Sequence, residues 1–246
     1  MKSLIKKVLL LITLAPLMVF ASGAEIHLDK APVNLNDRLS LQRGAKVFVN
    51  YCLSCHSAGY MRYSRLQDDL GLSEIQIKKN LLFAGEKVGE PMTVAMNKKE
   101  AKEWFGATPP DLTVISRARG DDWLYTYLRG FYRDDTRSTG WNNTVFDKVG
   151  MPHVLYQLQG EQRLKVEHVF AHGEKQEVKT LELVKPGTMT KTEYNAMVGD
   201  LVNYLAYMGE PAKTTRMQLG IVVLLFLSLF FVVAYYLKKE YWKDIH

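Results

Sequence analysis

The chain has 246 residues and two cysteines, Cys52 and Cys55, with His56 directly after the second. The string Cys52-Leu53-Ser54-Cys55-His56 sets two thiols close together with an imidazole beside them. So few cysteines exclude a disulfide-stapled small fold. A structural zinc site needs four ligands, and no second cysteine pair exists to supply them. A thioredoxin-like redox pair calls for a surrounding strand–helix–strand pattern, which the flanking sequence does not offer. A plain disulfide across two residues would leave His56 without a role. Covalent haem c uses all three groups: the thiols add to two vinyl groups, and the histidine becomes an axial ligand of the iron.

Both ends of the chain belong to a membrane. Met1–Lys7 is basic, Val8–Ala21 is an apolar run of 14 residues, and small residues follow at Val19-Phe20-Ala21 and Ser22-Gly23-Ala24. That run is too short for a hydrocarbon core of about 30 Å and has the layout of a cleaved secretory signal peptide. Residues 1–24 are assigned to it. Met217–Leu237 is different: 21 residues without a formal charge, about 31 Å as a helix, enough to cross once. Arg216 precedes it, while Lys238, Lys239 and Lys243 follow among Tyr235, Tyr236, Tyr241 and Trp242. Positive charge and an aromatic belt at that boundary put the tail in the cytoplasm and the middle of the chain outside. The expected division is an exported domain at 25–215, a transmembrane helix at 216–238 and a cytoplasmic tail at 239–246. The net charge of +6 then loses its suggestion of nucleic acid. Leader and tail carry most of it, leaving +2 for the rest. No nucleic-acid partner is expected.

The exported part, roughly 190 residues, suits one domain. Residues 25–37 read as an extended lead-in. Leu39, Leu41, Val47, Phe48 and Tyr51 predict a helix from Leu39 to Cys52, with Gly44 as a point of close approach. Ser73 and Gln76 form a capping-box pattern opening a helix over 73–83. Lys98–Phe105 is a short charged helix, and an aromatic-rich helix runs from Trp123 to Tyr132. The stretch 134–150, rich in Asp, Thr, Asn and Gly, reads as a long loop that something other than its own core must fix. Leu164–Phe170 and Val178–Val184 alternate as strands around His172-Gly173-Glu174, which predicts a β-hairpin. Lys191–Gly209 is a helix with Tyr194, Val198, Leu201, Leu205 and Met208 on one face. The fold class is mainly α: a helical haem domain with a small β-hairpin excursion and one C-terminal transmembrane helix.

One histidine leaves the sixth iron position open. His153, His168, His172, Met92, Met96, Met151, Met189, Met197 and Met208 are the candidates. A thioether raises the reduction potential and suits electron transfer. Met151 stands in Val149-Gly150-Met151-Pro152, where glycine allows close approach and proline stiffens the segment. His153 competes from two residues away, where an extended step would point both side chains the same way.

With these strings in place the chain resembles bacterial cytochrome c1, the haem-bearing subunit of ubiquinol–cytochrome c reductase (the cytochrome bc1 complex). The resemblance rests on Leu41-Gln42-Arg43-Gly44 through Cys52–Ser57, Pro109-Pro110-Asp111-Leu112 and Arg117-Ala118-Arg119. It continues with Gly150-Met151-Pro152, Asp200–Leu205, Gly209-Glu210-Pro211 and the single anchor. It implies haem c held by Cys52 and Cys55, iron ligated by His56 and Met151, Pro110 against the porphyrin and Arg119 paired with a propionate. It further implies that Gly44 and Phe48 meet Tyr204 where the first and last helices cross. The implied partners are cytochrome b, the Rieske iron–sulfur protein, a c-type cytochrome acceptor and membrane lipid, in a dimeric complex. The chain would carry electrons without independent catalysis. The alternative is a free-standing, membrane-tethered cytochrome c serving a terminal oxidase. Two departures from the family stand out: the 162–186 excursion is longer than in mitochondrial relatives, and no strong acidic run faces an acceptor.

Overall fold

The computed structural model describes residues 27–94, 96–171 and 174–244, and for 169–178 the backbone alone. The expected signal peptide, 1–24, and the hairpin turn at His172-Gly173 lie outside the described residues.

Helix α1, Arg38–Val47, starts at Asp37, whose carboxylate accepts from the Ser40 amide. It does not run on regularly to Cys52 as expected. A π-helical turn, Phe48–Cys52, replaces its last part. The wider turn swings the chain toward the two cysteines, and such turns gather at functional sites. Leu39, one of the apolar positions that predict the helix, is exposed, whereas Leu41, Ala45 and Phe48 are buried.

Strand β1, Ala58–Arg62, pairs antiparallel with β2, Pro91–Met92. Between them lie α2, Arg65–Asp68, and α3, Glu74–Asn80. The expected capping box is present at Ser73 and Gln76, but the helix stops at Asn80, three residues early. Helix α4, Lys98–Phe105, has the expected bounds and ends on Gly106 in a left-handed conformation. Helix α5, Ile115–Arg119, was not read from the sequence. Gly120 separates it from α6, Asp121–Arg129, which begins and ends earlier than the expected Trp123–Tyr132. Tyr132 instead belongs to β3, Phe131–Arg133, paired with β4, Trp141–Asn143, inside the expected loop.

After α7, Tyr156–Gln159, come β5, Gly160–Ala171, and β6, Glu174–Pro186. They form the expected hairpin, paired from Gly160 opposite Pro186 to Ala171 opposite Glu174, with one register shift between Glu161 and Gln162. Its base is tied to β3, where the Arg133 guanidinium meets the Glu161 carboxylate at 2.9 Å. Helix α8, Lys191–Gly209, has the expected bounds, a Thr190–Glu193 capping box, and all five expected face residues buried.

The core forms where α1 crosses α8. A Cβ on Gly44 would stand 2.1 Å from the Asp200 carbonyl oxygen and 2.7 Å from the Tyr204 Cβ, so only glycine permits this approach. Phe48 packs on Tyr204 with ring centroids 5.7 Å apart, as the resemblance implied. Arg43 closes the crossing with two hydrogen bonds to the Asp200 carboxylate, at 2.6 and 2.8 Å. The lead-in is strapped onto α6, with the Ala31 amide donating to Asp122 at 2.8 Å. Helix α9, Lys213–Tyr241, is 29 residues long, exposed along its length, and apolar enough to cross a membrane.

Candidate haem site

The π-turn delivers Cys52 to the edge of a cleft, and a tight turn does the rest. The amides of Cys55 and His56 both donate to the Cys52 carbonyl, at 3.1 and 2.8 Å. Ser57 then anchors the string on two sides: its carbonyl accepts from the Leu112 amide at 2.8 Å and its hydroxyl from the Val94 amide at 3.0 Å. Asp111 adds a third tie, accepting from the Gly59 amide at 2.7 Å. The Pro109–Leu112 segment is thereby stapled along residues 56–59.

Within that staple the His56 Nδ1–H donates to the Pro110 carbonyl at 2.8 Å. A carbonyl can only accept, so the proton sits on Nδ1 and the Nε2 lone pair is left as a ligand. Burial lowers the His56 pKa, against the opposing pull of the Pro110 hydrogen bond and the Asp111 charge. The ring is therefore neutral at neutral pH, as a ligand must be. Burial also pushes the Cys52 thiol up to about 12, with Cys55 adding to the shift. A redox-active dithiol needs the opposite shift, so this environment disfavours the thioredoxin-like alternative. Both cysteines are free of any disulfide.

Across the cleft the expected loop 134–150 is fixed by two asparagine side chains. The Asn142 amide group donates to Asp134 and Asp147, both at 2.9 Å. Asn143 donates to the Tyr127 carbonyl at 2.8 Å and accepts from the Val145 amide at 2.9 Å. Gly150 passes so close to α4 that a Cβ would stand 2.8 Å from the Phe105 carbonyl oxygen. Met151 follows, and its sulfur accepts from the Tyr127 hydroxyl at 3.4 Å. Burial raises the Tyr127 pKa well above its ordinary value, so the hydroxyl keeps the proton it donates.

Cys52, Cys55, His56 and Met151 line one cavity of about 280 Å³, whose walls are otherwise almost wholly apolar, including Leu201 and Leu205 of α8. Among the described candidates for the sixth position, only Met151 lines it. His153 does not point the same way, contrary to expectation. It is buried in a separate aromatic nest, stacked 4.8 Å from Phe131 and edge-on to Trp141. Met92, Met197 and Met208 pack with the core, the first accepting from the Tyr204 hydroxyl. Pro110 and Arg119 also line the cavity. Arg119 is exposed, with its guanidinium 5.1 Å from the Trp123 ring centre and 5.7 Å from that of Phe146. It takes part in no ion pair among the described residues. Two thiols, a tautomer-fixed imidazole and a thioether meeting on an apolar slot are a donor set that fits haem c.

The profile of the Cytochrome C1 family matches residues 29–245. The chain belongs to the cytochrome c1 family. Members carry haem c and transfer electrons as a subunit of the cytochrome bc1 complex. The chain is 51% identical to cytochrome c1 of Allochromatium vinosum over 233 residues, covering 95% of this chain and 96% of that one. It is 25% identical to cytochrome c1 of Rhodospirillum rubrum over 260 residues, covering 93% and 94%. It is also 55% identical, over 243 residues and 99% of both chains, to a Nitrosomonas europaea protein named ammonia monooxygenase gamma subunit.

Sequence reading missed Ser57, Asp111, Asn143 and Tyr127, which hold the ligand-bearing segments in place. The Pro-Pro-Asp-Leu string carried a signal for Asp111, since aspartate after proline caps local turns.

Proposed function

We propose that Cys52 and Cys55 hold one haem c as thioethers, that His56 and Met151 ligate its iron, and that the chain relays single electrons. Pro110 lies against the ring, and Arg119 pairs with a propionate. A free cationic side chain at the cavity supports that last role, because a partly buried propionate needs a charged partner. Bound there, haem c supplies a one-electron ferric–ferrous couple.

The chain's own residues account for how that couple is kept fast. The Pro110 carbonyl fixes the His56 tautomer and ring plane, and the Asn143-braced loop holds Met151 opposite. Rigid ligands on both sides keep reorganisation small and leave no position for substrate. Apolar walls exclude water and, with a thioether ligand, favour a high potential. The observation that carries this reading is the convergence of Cys52, Cys55, His56 and Met151 on one apolar cavity.

The electron arrives from the Rieske iron–sulfur protein and leaves to a c-type cytochrome. Residues 25–215 form the periplasmic domain, 216–238 anchor it beside cytochrome b in a dimeric complex, and 239–246 lie in the cytoplasm, after removal of 1–24. Basic residues after the apolar run support that orientation. Purification from native membranes tests the assignment. Co-isolation with a dihaem cytochrome b and antimycin-sensitive quinol oxidation support it. Isolation alone, with electron delivery to an oxidase, supports the free-standing alternative.

The name of the Nitrosomonas relative favours a second reading, electron delivery to a monooxygenase. Co-isolation with a monooxygenase instead of cytochrome b would support it.

A further inference from the structure

We propose that Tyr127 is a positioning residue for the Met151 thioether, and that its hydroxyl raises the reduction potential of the centre. The inference rests on the reading of Met151 as an axial ligand.

The geometry begins with a phenol that has one place to go. Tyr127 is buried, and its hydroxyl donates at 3.4 Å to the Met151 sulfur, its single hydrogen-bond partner among the described residues. A buried phenol satisfies its hydroxyl where it can, and here the acceptor is a thioether. The ring cannot turn away. It is stacked on Trp123 at 4.8 Å with planes 11° apart, and Phe131 meets it edge-on at 5.0 Å. Arg119 lies over the same Trp123 ring, so its charge caps the stack at the cavity rim. The Tyr127 backbone is held as well, since its carbonyl takes the Asn143 side chain from the very loop that presents Met151. Hydroxyl and sulfur are therefore tied to each other twice, once directly and once through Asn143.

Two consequences follow for the sulfur. Methionine has three rotatable bonds and otherwise fills space adaptably, so an anchor fixes which lone pair faces the cavity. The donated hydrogen bond also draws electron density from the sulfur and points the positive end of the O–H dipole toward it. Both effects disfavour the more positive oxidation state of a metal bound there and raise the potential. A tyrosine that only filled the core would contribute packing and leave the potential alone.

Tyr127→Phe in the intact complex keeps the ring, the stack and the Asn143 contact while deleting the hydroxyl. The expected result is a lower midpoint potential, with the red sulfur–iron charge-transfer band shifted but still present and thermal unfolding little changed. An unmoved potential overturns the positioning role. Met151→Leu separates the two layers. If it abolishes the band while Tyr127→Phe leaves the potential untouched, the ligand reading stands and the role of Tyr127 falls. If the band survives Met151→Leu, the ligand reading fails and the inference falls with it.

Discussion

The imidazole of His56 and the carbonyl oxygen of Pro110 meet at 2.8 Å across 54 residues of sequence. That one bond sets the tautomer and leaves the Nε2 lone pair free, so the segment carrying Pro110 orients the imidazole proposed as a ligand. Asp111 holds the segment by accepting from the Gly59 amide at 2.7 Å, the Thr113 amide at 2.8 Å and the Thr113 hydroxyl at 2.6 Å.

Asp111→Ala removes these acceptors together. Unpairing them is expected to cost about 1–3 kcal/mol. Denaturant unfolding of the haem-loaded protein measures the loss, and Asp111→Asn, which keeps one oxygen acceptor, should recover part of it.

Gly44→Ala forces a methyl group into the Asp200 backbone and Tyr204. Overpacking at a rigid crossing costs about 1–3 kcal/mol. The melting midpoint should fall while the haem spectrum of the surviving folded protein stays the same, since no ligand lies on that contact.

How far the sequence carried this account depended on the range of the interaction. The bounds of α4 and α8 and the cap of α3 were legible because capping groups and apolar periodicity are local. The chemistry-bearing strings were legible for the same reason. What escaped reading was set from afar. Tyr132 left its helix because β3 found a partner in β4, ten residues on. Periodicity could not foresee that pairing. The π-turn before Cys52 and the divergence of Met151 from His153 are likewise tertiary: Phe131 and Trp141 offer His153 a pocket that the extended-step argument did not contain. The loop at 134–150 was recognised as needing external support, but the identity of the support, Asn142 and Asn143, required the structure.

Asn143→Ala tests that support. Asn143 is 2% exposed, and its loss strands the Val145 amide, at about 1–3 kcal/mol for a buried group left unpaired, while the Tyr127 carbonyl keeps only the Gly130 amide. Because the same loop presents Met151, the sulfur–iron charge-transfer band expected from the proposed Met151 ligation should weaken along with stability. Gly44→Ala, by contrast, should lower stability alone.

Asp122 governs the lead-in. Its carboxylate accepts from the Ala31 amide and Lys30, and the Ala31 hydrogen bond chiefly holds its pKa below the ordinary value. A depressed carboxylate stabilises above its unfolded pKa and loses that contribution as pH falls through the folded one. Protection of the Ala31 amide, its exchange taken relative to the intrinsic rate at each pH, should therefore fall on acidification below about pH 4. In Asp122→Ala that protection should be lower by roughly an order of magnitude already at neutral pH, with little further change on acidification.

The central claim is that this cavity holds haem covalently through Cys52 and Cys55. Intact-mass measurement of the chain, isolated from its native membrane and extracted with acidified acetone, tests it most directly. The account predicts the mass of the processed polypeptide plus one haem, reverting to polypeptide alone when both cysteines are replaced by alanine. A chain at its bare polypeptide mass would contradict it.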